Sequence, residues 1–334
     1  MDKTILLKTQ LNEAAKLAKK TDVRYKRLSV ILLDNFIEIQ LRCLISNRLQ
    51  LDGLWGYTEK KYKQKQRNKI NLYYGELLKA CVKEKIITSN NKKLLSFCHE
   101  VRNNLYHKIN EEELLIKAAI QILYKIITDK QPKWGNGYNT TLILPAKNDP
   151  FYNKKNKDAS LYNTNSEEEW GYFLNNYFNT LDRRKKNVQR LLSDHIINKI
   201  NEIKSNIKFT VEGEFSYYFP YAEKWGFNEY CLFFSFFNLN KAKIEELQED
   251  KYTFKKNYED LLKKYTVSWK RINSNKLEQF KLLSNKIIKL SISDALEEYL
   301  KIKDELNMVS DAFKSASIKL DKEIQFQTDL ARGK

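Results

Sequence analysis

Residues 94–108 read LLSFCHEVRNNLYHK. Leu94, Cys98, Val101 and Leu105 recur at spacings of four, three and four, the signature of an amphipathic helix. At about 100° per residue these four fall in a narrow arc that defines a core stripe. On the same wheel Arg102 lies about 70° from the stripe's centre, Tyr106 about 110°, His99 about 130°, Asn103 about 170° and His107 about 150° on the other side. The polar cluster is therefore expected on the face turned away from the core.

Working outward, this helix spans about 92–108, and Asn110 with Glu113 three residues later resembles a capping box. The helical pattern either restarts there or continues to Ile127. Upstream, "INLYYGELLKACVKEKII" reads as a further helix, and the basic stretch "EKKYKQKQRNK" before it as a loop. Asp22 is placed to cap a long helix from about 23 to 50, with Leu28, Ile31, Leu32, Phe36, Ile39, Cys43 and Leu44 at helical spacing. Residues 3–20 supply one more helix. Nine glycines and four prolines in 334 residues suit helices better than sheets, whose turns consume both.

The expected fold is all-α. A helical bundle covers 1–130, and a connector rich in proline and asparagine covers 131–165. A second, mostly helical domain covers 166–334, with a short β-hairpin near 207–219.

The chain carries 60 basic and 42 acidic residues, a net charge of +18, which favours a polyanionic partner. Residues 1–130 hold 26 basic and 14 acidic residues, net +12; the other 204 hold 34 and 28, net +6. The surplus is thus concentrated in the part that holds the cluster. Cys43, Cys81, Cys98 and Cys231 have no metal-like spacing and read as reduced core thiols of a cytoplasmic protein. Cys81, Cys98 and His99 lack a fourth ligand. No secretory signal is visible, and "CLFFSFF" at 231–237 is too short to span a bilayer, so no membrane partner is expected. P-loop, dinucleotide-binding and H-E-x-x-H motifs are absent, which leaves NTPase and metalloprotease readings unsupported.

Arginine offers a planar fork for phosphate, and histidine, with an ordinary pKa of about 6.5, exchanges protons near neutrality. Together they suffice to cleave RNA without a metal or cofactor: a base takes the ribose 2′-hydroxyl proton and a cation stabilises charge on the phosphate. Arg102 and His107 diverge by about 140° and are about 7.5 Å apart along the axis. One copy would struggle to aim both at one phosphate, whereas a two-fold axis beside this face would pair each with its counterpart.

"RNNLYH" resembles the R-N-x-x-x-H signature of the HEPN (higher eukaryotes and prokaryotes nucleotide-binding) domain family, within about 1–130. The resemblance implies a bundle of four or five helices and a metal-independent endoribonuclease, a toxin or antiviral, abortive-infection effector, acting as a homodimer through the Arg102–His107 helix face. It implies Arg102 as phosphate-binding cation, Asn103 as polar helper and His107 as acid/base residue. Tyr106 and an acidic residue of the earlier helix, Glu38 or Asp34, would support the site. RNA is the implied substrate, tRNA by analogy, and an antitoxin or phage-derived trigger the implied protein partner. The alternative is the same bundle as a non-catalytic binding or scaffold module.

Arg183, Arg184, Lys185 and Lys186, in "DRRKKNVQR", form either a solvated helix surface or a strip contacting RNA phosphates. His195, with Leu191, Leu192 and Ile196 nearby, reads as packing or surface. The twelve aromatics of 215–237 read as the core of the second domain, with a base-stacking platform or a protein-recognition patch as the sharper alternatives.

Overall fold

The computed structural model describes residues 3–52, 61–107, 112–135, 148–156, 163–179, 187–210, 212–214 and 275–333. Ten α-helices and no strand occur among them. The all-α expectation is met. The chain forms two compact units, Met1–Leu191 and Leu192–Lys334.

The first unit opens with α1 (Lys3–Ala18) and α2 (Val23–Leu51). Asp22 caps α2 as its sequence suggested, accepting from the Arg24 amide at 2.8 Å. The α2 helix buries Val30, Leu33, Phe36, Ile37, Leu41 and Ile45 against its neighbours. Two short helices follow, α3 (Gln64–Leu72) and α4 (Tyr74–Lys83), parted by Tyr73 in extended conformation. The basic stretch read as a loop is thus largely helix. Its signal was weak because Ile70 is the only residue α3 buries. What holds it is polar. Asp52 accepts from the amides of Lys61 and Tyr62 at 2.9 and 3.0 Å and pairs with Arg67 at 2.9 Å. Arg67 also donates to the Leu49 carbonyl at 2.7 Å.

The helix α5 (Ser89–His107) is followed by α6 (Glu113–Trp134). Glu112 is the N-cap of α6, so the helix restarts at Glu113; Asn110 of the expected capping box lies outside the described residues. Glu113, in the first turn, binds Lys26 of α2 at 2.9 Å and Lys117 at 2.8 Å. Gly135, at φ +58°, ends α6; a Cβ there would lie 3.0 Å from Asn165, in a conformation few side chains adopt. Its carbonyl accepts from Gln40 at 2.9 Å and from Gln131.

The described part of 131–165 packs within the first unit. Asp149 binds Lys8 of α1 at 3.0 Å, both side chains fully buried, and the Lys8 ammonium lies 5.7 Å from the Trp170 ring centroid. Phe151 meets Phe173 edge-on. Trp170 and Phe173 belong to α7 (Glu167–Phe173), which Ser166 caps and which continues into a π-turn at Leu174–Phe178.

The helix α8 (Val188–Thr210) enters the second unit, where α9 (Asn275–Ile287) and α10 (Ile292–Ala331) are described. Residues 207–210, where the hairpin was expected to begin, are the last turn of α8; 215–219 lie outside the described residues. His195 is 4% exposed and packs edge-on against Tyr299, which decides for packing over surface. The aromatic run 215–237 and Arg183, Arg184, Lys185 and Lys186 lie outside the described residues. Among those described, no helix is long and apolar enough to cross a membrane.

Candidate functional site between α2 and α5

Arg27, Asp34, Glu38 and Arg42 follow one another along α2 at steps of seven, four and four. They form a charged stripe within about 80° of arc. The stripe faces α5, which runs antiparallel to it: Arg27 donates to the Leu105 carbonyl, and Asp34 meets His99. The Arg27 guanidinium thereby satisfies an orphan carbonyl near the negative end of α5.

Asp34 is fully buried. Its Oδ2 lies 2.8 Å from His99 Nδ1 and 3.8 Å from Arg102 Nη1. A carboxylate only accepts, so Nδ1 carries the proton and donates. The other oxygen, Oδ1, has no hydrogen-bond partner. Glu38 Oε2 lies 3.9 Å from Arg102 Nη1, while its Oε1 accepts from Arg42 Nε at 3.0 Å and Nη2 at 2.7 Å. Arg42 is fixed in turn by the Asn71 carbonyl at 2.7 Å. Tyr74, in the first turn of α4, stacks on the His99 ring with centroids 3.9 Å apart and planes 15° from parallel. Burial, then the nearby negative charge of Asp34, pushes the Tyr74 phenol well above its ordinary value. Burial likewise pushes up the Cys98 thiol behind the site, with Asp34 adding to it.

The structure therefore gathers Arg102, Asp34 and Glu38 and adds His99, Tyr74, Arg42 and Arg27, to none of which the sequence assigned a role in the site. It also corrects the wheel. Leu95 is 0% and Phe97 2% exposed, so the buried arc of α5 is wider than the four-residue stripe. Its edge reaches His99 and Arg102, whose side chains are 17% and 23% exposed against α2 within one subunit. Asn103 alone of the cluster's described side chains is exposed. Tyr106 and His107 complete α5, and their side chains lie outside the described residues. The signal that could have found the inner site was the α2 stripe itself: four charged residues on one side of a helix that is otherwise rich in core positions.

Asp34, Glu38 and His99 each offer a donor atom within 4.8 Å of the others, a grouping that could hold a metal ion. Arg42 and Arg102 already balance both carboxylates, so a dication would enter a site with no net negative charge. An arginine beside a histidine whose tautomer is fixed can bind an anionic ester and move a proton. No family model matches the chain, and neither curated proteins nor solved structures yield a match.

Proposed function

We propose that the first unit is a metal-independent endoribonuclease of HEPN type, cleaving RNA by attack of the ribose 2′-hydroxyl on the adjacent phosphorus. The observation that carries this reading is Arg102 set between Asp34 and Glu38 of the earlier helix, in an all-α bundle with a surplus of positive charge. Arg102 neutralises the phosphate, His107 is an acid/base group, and exposed Asn103 assists on the same helix. Two copies meet along the exposed side of α5 that carries Asn103, as a homodimer. The second unit recognises RNA or holds the nuclease in check until a trigger protein arrives, as befits a toxin or antiviral effector.

The test is incubation of the pure protein with total RNA and a chelator, followed by end-group analysis. Fragments with 2′,3′-cyclic phosphate and 5′-hydroxyl ends are expected, and Arg102→Ala abolishes them. Ends bearing 5′-phosphate would refute the mechanism. The close pairing of Arg102 with carboxylates also suits a second reading, a non-catalytic binding module. In that case RNA stays intact and His107→Ala has no effect on toxicity.

A further inference from the structure

The geometry points to His99 as a second catalytic histidine, the base that takes the 2′-hydroxyl proton, oriented by Asp34 and acting beside Arg102 of the same subunit. This rests on the nuclease reading above and changes where its active centre lies.

His99 has what a general base requires. Its Nδ1 is bound to a buried carboxylate at 2.8 Å, which fixes both the ring and the tautomer. Tyr74 stacked on one face leaves the ring little freedom to turn. The remaining nitrogen, Nε2, is neither hydrogen-bonded nor sealed from solvent. An open Nε2 is what a substrate proton would meet.

His99 and Arg102 are set as a pair. His99 and Arg102 stand three residues apart, neighbours on the helix surface, where Cβ atoms are about 5–6 Å apart. Both address the same oxygen of Asp34. The surrounding titratable and charged groups are Asp34, Glu38 and Arg42 from α2, Tyr74 and Cys81 from α4, and Cys98 and Arg102 from α5. Asp34, Glu38, Arg42 and Arg102 sum to zero charge, so a proton gained by His99 leaves the centre net positive as the phosphate becomes more anionic.

In the step itself, Nε2 of His99 takes the 2′-hydroxyl proton while the 2′-oxygen bonds to phosphorus. The P–O5′ bond breaks, its electron pair stays on O5′, and that oxygen is protonated by water. The products are a 2′,3′-cyclic phosphate and a 5′-hydroxyl; nothing is oxidised or reduced. Base and phosphate-binding cation then come from one chain.

The experiment is single-turnover cleavage of RNA, with chelator, by the full chain and by His99→Gln across a pH series. The parent rate is expected to rise with pH along an acidic limb as the base loses its proton. His99→Gln should lower the rate about 100- to 10,000-fold and remove that limb. Asp34→Asn should cost less and shift the limb, because its amide can still meet the ring. Parent protein that leaves RNA intact overturns the nuclease reading and this assignment with it. Parent cleavage that survives His99→Gln to within about threefold, or with its acidic limb unchanged, overturns the assignment alone. Should the variant not fold, the parent answers through NMR of its three histidines. Uridine 3′-monophosphate should move the His99 Nε2 resonance; an unmoved resonance overturns the assignment.

Discussion

Lys8 and Asp149 are both fully buried, 3.0 Å apart, and link α1 to a segment 141 residues later. Lys8→Ala leaves the Asp149 carboxylate buried without its ammonium, a loss of about 3–5 kcal/mol. Lys8→Met with Asp149→Leu should be far milder, since it removes both charges and keeps the volume. Chemical denaturation of the three chains checks this, and a milder single than double variant would contradict it. Thiol chemistry gives a second residue-scale test. Burial pushes Cys81 up to about 12, and Cys98 is also raised. Both should resist alkylation at mild alkaline pH in the native protein and react on unfolding. Peptide mapping after pulse labelling reads this directly. Single residues were unevenly legible. Asp22 and Arg102 announce themselves by local pattern. His99 does not, because its partner Asp34 stands 65 residues away in sequence. Only the docking of α5 on α2 joins them.

The helix α3 shows how an element can depend on one side chain. Burial pushes the Asp52 carboxyl up, but the amides of Lys61 and Tyr62 and the Arg67 guanidinium outweigh it and hold it below the ordinary carboxylate range. A lowered folded value means the stabilisation is complete above the unfolded value of about 3.9 and is lost as pH falls through the folded one. Acid should therefore loosen the 61–72 segment early, seen as faster amide exchange at Lys61 and Tyr62. Asp52→Asn should be less stable at neutral pH and flatten that dependence. Equal exchange in both proteins through the acid range would exclude it. The long amphipathic helices were readable because their apolar positions repeat. The α3 helix was not, since a nine-residue helix with one buried residue leaves no period to detect.

At the scale of the molecule, the two units each carry a core. Trp170, Phe173 and Phe36 are buried in the first, and Tyr299, Phe313 and Leu306 in the second. Separate cores predict separate unfolding. Calorimetry should show a total enthalpy above the van 't Hoff value, with Lys8→Ala lowering one transition only. A single two-state transition shifted as a whole would contradict this. The division at 191–192 was not visible in composition. Prolines and asparagines at 131–165 look like a linker, yet buried Asp149 and Phe151 tie its described residues into the first core.

The second unit ends in α10, 40 residues and so about 60 Å long. Its buried positions run from Ala295 to Leu320, while nothing from Asp321 to Ala331 is buried and Phe326 and Leu330 are exposed. The last three turns, none of whose residues is buried, hold their shape by helix propensity and local pairs such as Gln327 with Glu323, at 3.0 Å. Such a rod melts from its tip: trypsin should nibble at Lys322 and Arg332 while sites under the packed stretch stay intact, leaving a stub that ends close to where burial stops.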